Sequence, residues 1–135
     1  MITKVEAIVH SFKSQFKVNL VDLKPWVDNE ETKLFNDPNS IDIGFHFAKF
    51  NFACGCRSIL MQVKIDRDFE QQNYKAIGIE LSGFEAFQEQ WRVTTIEYWE
   101  FSGKSQPTTE SQEQLKQVCS QILKLFNHSQ AACRE

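Results

Sequence analysis

The stretch IDIGFHFAKFNFACGCRSILMQVKI, residues 41–65, decides the fold. Ile41, Ile43, Phe45 and Phe47 alternate on odd positions. Phe50, Phe52, Cys54 and Cys56 then alternate on even ones, and Ile59, Met61, Val63 and Ile65 return to odd. A side-chain period of two is the mark of a strand with one buried face. The change of phase near Ala48 and Lys49 predicts a one-residue bulge that keeps both sets on one core, with a tight turn as the competing account. Gly55, followed by Arg57 and Ser58, predicts the hairpin turn between the first two strands.

Working outward, Ile77, Ile79 and Leu81 predict a third strand that ends or bulges at Ser82 and Gly83. Phe84, Phe87 and Trp91 fit either a helical turn or a twisted continuation of that strand. Residues 91–101, rich in β-branched and aromatic types, predict a fourth strand with apolar residues on both faces. Two helical stripes bracket this sheet. Val5, Ile8, Val9, Phe12 and Phe16 form one over residues 3–17. Leu115, Val118, Cys119, Ile122, Leu123 and Phe126 form the other, behind Thr109-Glu110-Ser111-Gln112, which fits a capping box. Residues 28–42 are acidic and turn-rich and read as a surface loop, and residues 128–135 as a fraying tail.

The expected class is therefore α+β, a two-layer sandwich in a single domain spanning residues 1–135. A four-stranded antiparallel meander carries both terminal helices on one face, in the order α-β-β-β-β-α.

Composition narrows the function. The chain is 41% hydrophobic and 24% charged, and its 12 phenylalanines suit a thick helix-on-sheet core. A net charge of -3 gives no global attraction to nucleic acid or to an anionic membrane. No apolar run approaches the roughly 20 residues of a membrane helix. Lys4, Glu6, Lys13 and Lys17 break any secretory pattern, and the irregularly placed Cys54, Cys56, Cys119 and Cys133 read as free thiols in a reducing cytoplasm.

Cys54-Gly55-Cys56 is the sharpest local motif. With His46 it offers a metal site, or by itself a redox pair. Zinc sites, however, favour a wider spacing and a second pair, which the chain lacks. The reading adopted is two small hydrophobes at a strand end. No serine sits in a nucleophile elbow, no phosphate-binding glycine pattern is present, and no two carboxylates form an acid/base pair. The expectation is a non-enzymatic protein with no cofactor.

With the helices on one side, parity leaves His46, Lys49, Asn51, Leu60, Gln62, Lys64, Arg92, Thr94, Ile96 and Tyr98 on the other. The apolar trio Leu60, Ile96 and Tyr98 points to a protein partner, a second copy of the chain included. The cations beside Tyr98 support a second reading, single-stranded nucleic-acid binding on the same face. The thiol or metal site at Cys54 and Cys56 is the third.

Overall fold

The computed structural model describes residues 2–23, 40–68, 73–96 and 99–132. Most of the acidic loop, and Tyr98, lie outside them. Helix α1 (Ile2–Gln15) precedes strand β1 (Leu20–Asp22), followed by β2 (Ser40–Asn51), β3 (Cys56–Asp68), β4 (Asn73–Glu85), β5 (Gln88–Thr94) and β6 (Ser102–Gly103). Helix α2 (Thr109–Ala132) closes the order. The class is α+β with an antiparallel sheet and two terminal helices. Among the described residues the sheet has six strands in the order β1-β2-β3-β4-β5-β6 and stays open, where sequence pattern predicts four. The two additions are three and two residues long, too short to show a period of two, and only pairing with β2 and β5 makes them strands.

The register aligns the odd positions. Phe45 faces Ile59, Ile59 faces Gly83 and Gly83 faces Trp91; Met61 lies between Ile43 and Leu81. These residues share one core with Ile8, Phe12, Leu115, Val118, Ile122 and Phe126 of the helices. The Phe12 ring stacks on Phe45 at 3.9 Å between centroids, which docks α1 on β2. Each such buried side chain contributes about 1.5–3 kcal/mol by leaving water. Gly83 is required by this packing: a Cβ there would lie 2.3 Å from the Trp91 indole.

Three local expectations change. The phase flip in β2 is larger than a one-residue bulge. Between the His46–Ser58 and Asn51–Cys56 pairs, four residues of β2 oppose Arg57 alone. Cys54 and Cys56 still reach the core, but Phe52 is 85% exposed. In β4 a register shift opposite Lys64 and Ile65 places Ala76 in the core and turns Ile77 outward, 61% exposed. A bulge puts two neighbours on one side, so the alternation read through Ile77 breaks there. The strand predicted over residues 91–101 is displaced toward the N-terminus, because residues 84–91 form neither a helical turn nor one long strand. The chain runs to Glu85, turns at Ala86 and Phe87, and returns from Gln88.

Helix α2 is capped by Thr108, one residue before the expected Thr109. Thr108 Oγ1 accepts the Ser111 backbone N–H at 3.2 Å, and Gln112 Nε2 donates to the Pro107 carbonyl at 3.0 Å. At its other end, Asn127 donates to the Ala76 carbonyl at 3.2 Å and accepts the Ala76 N–H at 3.1 Å. One side chain thus satisfies both backbone groups of Ala76, which lies opposite Ile65 of β3 but beyond the last β4–β5 pair, Glu80–Thr94.

Candidate functional site

The sheet face away from the core is built from the even positions of the central strands. Its rows follow the register: His46 beside Ser58; Gly44, Leu60, Ser82 and Arg92; Asp42, Gln62, Glu80 and Thr94; Lys64 beside Gly78. The middle of this face is closed to solvent. Leu60 is only 7% exposed, and Gly44, Gln62 and Ser82 are buried with it. Leu60 sits mid-ladder, with strands on both sides and side-chain rows above and below, so pointing away from the helices does not make it accessible. Parity predicted direction correctly there and accessibility wrongly.

The polar groups on this face are engaged with one another. His46 Nδ1 and Ser58 Oγ are hydrogen-bonded at 2.7 Å. Gln62 Nε2 donates to Asp42 Oδ1 at 3.5 Å, and Asp42 also accepts from Ser40 Oγ at 2.8 Å. Arg92 bridges Glu80 at 3.2 Å and Glu89 at 2.8 Å. Asn51 caps its own turn by accepting the Cys54 N–H at 3.0 Å. Lys49 is exposed, but it belongs to the irregular part of β2 and not to the ladder.

What stays open and apolar is Leu20 at the β1 edge, 59% exposed and paired with His46, and at the other end of the face Ile96, 55% exposed, which lies across Gly78, with Ile77 next to Gly78 in the chain. Of the expected trio, Ile96 is accessible, Leu60 is not, and Tyr98 falls outside the described residues. Ile77 is the member that sequence pattern missed. Its place in an alternating run assigned it to the core, and only the bulge reverses it.

The thiols lie on the other side of the sheet. Cys54, Cys56 and Cys119 are all buried and free. Burial pushes Cys54 up to about 11, a rise that the Ser111 hydrogen bond offsets in part. Burial and then the neighbouring charges of Cys54 and Glu85 push Cys56 to about 12, and burial alone takes Cys119 there. Thiols so protonated are weak nucleophiles and weak ligands at neutral pH. His46 is on the opposite face, and no group of three metal-binding side chains is found among the described residues. Glu85 Oε2 is the one buried side-chain oxygen or nitrogen among the described residues without a hydrogen-bond partner.

This end of the sheet is tightly tied together. Trp91 Nε1 donates to the Cys54 carbonyl at 2.7 Å, and Thr108 N–H to the Ala53 carbonyl at 2.8 Å. Gly55, at φ +65, lies so close under the Ser105 carbonyl that a Cβ would come within 2.4 Å of its oxygen. Cys-Gly-Cys is therefore a structural turn: the glycine takes a left-handed conformation against a second loop, and the cysteines fill the core beneath it.

A family model described as a domain of unknown function matches residues 1–128. The chain belongs to that family. Neither the curated proteins nor the solved structures contain a match. Among the described residues, no helix is long and apolar enough to cross a membrane.

Proposed function

We propose that this family member is a non-enzymatic accessory or regulatory protein of the cytoplasm that binds a protein partner through the open sheet face, with a second copy of the chain as the first candidate. The observation that carries this reading is the exposed pair Ile77 and Ile96. Both are large, apolar and solvent-facing, beside central rows whose Gly44, Leu60, Ser82, Asp42, Gln62 and Arg92 are buried or hydrogen-bonded. Exposed aliphatic side chains grouped on one surface mark contacts more often than solvated surface does. The contact is thus centred at the Ile77–Ile96 end of the face, with Lys64 and Thr94 beside it.

The competing readings have less support. Single-stranded nucleic acid needs free cations and several stacking rings, whereas Arg92 is held by two carboxylates. A thiol or metal centre at Cys54 and Cys56 needs accessible thiolates, and both sulfurs are buried and protonated at neutral pH.

Light scattering coupled to size exclusion is the test. A dimer that Ile96→Asp converts to a folded monomer is the expected result, with loss of at least about tenfold in association for the burial of one isoleucine. A wild-type monomer at high concentration, or a dimer unaffected by Ile96→Asp and Ile77→Asp, rules out self-association through this face.

A further inference from the structure

A second surface, distinct from the sheet face, lies at the end of the sheet. In an antiparallel meander the β2–β3 and β4–β5 turns fall at the same end, and here they belong to neighbouring hairpins. Each turn exposes a phenylalanine: Phe52 on the first and Phe87, with no shielding at all, on the second. Neither stands on a loose loop. The residues that follow Phe52 are anchored through Ala53, Cys54 and Gly55 to Thr108, Trp91 and Ser105, and the Phe50 ring stands edge-on to Phe52 at 5.0 Å. Phe87 closes a two-residue turn in which it and Ala86 both hold positive φ, 66° and 51°. Hairpin turns of this hand favour Asn and Gly at those positions, so a bulky ring there runs against local preference. Two solvent-facing rings at one end, each on a backbone held in place by its turn, are available for a contact.

The charges at this end select the partner. Lys49, Arg57 and Lys104 are all exposed: Arg57 reaches the Ala48 carbonyl, and Lys104 precedes Ser105, whose N–H bonds to Gln90. Of the carboxylates here, Glu89 is paired with Arg92, Glu85 is half-buried and Glu110 stands exposed. Three exposed cations without an ion-pair partner among the described residues stand against the exposed Glu110 and the half-buried, unpaired Glu85, a small positive excess on a chain of net charge -3 that favours an anionic surface.

We propose that this end of the sheet docks on an anionic lipid bilayer, with Phe52 and Phe87 entering the interface and Lys49, Arg57 and Lys104 meeting the headgroups. A bilayer accepts two projecting rings without a matching pocket. Phenylalanine burial supplies the apolar part and the lysines and arginine the salt-sensitive part.

The test is co-sedimentation of the full chain with vesicles of equal parts phosphatidylcholine and phosphatidylglycerol. Binding is expected, weakening with added salt and on omission of the anionic lipid. It should fall at least about tenfold for Phe52→Ser with Phe87→Ser, since each ring forfeits its burial. Phe87→Gly, which suits the turn and keeps the fold, should show most of the Phe87 loss with a thermal midpoint at or above that of the parent. Absence of binding to the anionic vesicles overturns the proposal, as does equal binding to pure phosphatidylcholine or undiminished binding by the double variant. Self-association that depends on Phe87 without vesicle binding also overturns it and makes the surface a protein contact.

Discussion

Phe87 holds a positive φ of 66° while its side chain touches nothing in the molecule. Removing the ring therefore costs no packing and relieves the backbone. Phe87→Gly is expected to raise the unfolding free energy by about 1 kcal/mol in thermal or urea denaturation. A fall in stability would mean that the ring is packed after all. The buried thiols carry the second residue-scale prediction. Cys54, Cys56 and Cys119 titrate near 11 to 12 in the fold, above the ordinary 9.0. At alkaline pH the unfolded chain therefore gives up these protons first, and unfolding is favoured. Their contribution to stability is complete below about pH 9 and is lost as pH rises through the folded values. Thiol labelling at neutral pH is expected to be slow and accelerated by denaturant. Fast labelling of Cys54 in the native protein would contradict this. The motif Cys54-Gly55-Cys56 was legible as a turn from its glycine, but its closeness to Ser105 and Trp91 was not, because those contacts span some fifty and forty residues of chain.

At the scale of elements, α2 and β4 are joined by more than apolar packing. Asn127 replaces a strand partner for Ala76 by accepting its N–H and donating to its carbonyl. Asn127→Ala leaves both groups without that partner, and a loss of about 1–3 kcal/mol is expected in denaturant unfolding. Asn127→Asp keeps the acceptor and loses the donor, so it should fall between. The bulge at Ile77 explains why that residue alone departs from the expected Ile77, Ile79 and Leu81 face: sequence alternation shows only a preference, and an inserted residue shifts the positions beyond it. The two-residue turn at Ala86 and Phe87 was missed for a related reason. Neither residue is a turn former, and the spacing of Phe84, Phe87 and Trp91 mimics a helical stripe.

At the scale of the molecule, the helices and the odd face of the sheet account for the core, and the exposed apolar side chains fall in separate places. Ile77 and Ile96 lie on the even face, Phe52 and Phe87 at the sheet end, and Leu20 and Leu23 at the β1 edge. Two proposals rest on two surfaces, so they should separate by mutation. Ile96→Asp is expected to leave vesicle binding unchanged, and Phe87→Gly to leave the dimer unchanged; a variant that abolishes both would show a single shared surface. The sequence by itself determined the α+β class, the two helical stripes, the central strands and the antiparallel path between them. All of these follow from period, local turn chemistry and the need to bury one face of each element. Only the tertiary structure decided that the sheet has six strands, that Leu60 is covered and Ile77 exposed, and that two phenylalanines project from one end. Periodicity reports which way a side chain points from its own backbone; what lies beyond it depends on register, bulges and the neighbouring strands, which are set by residues far away along the chain.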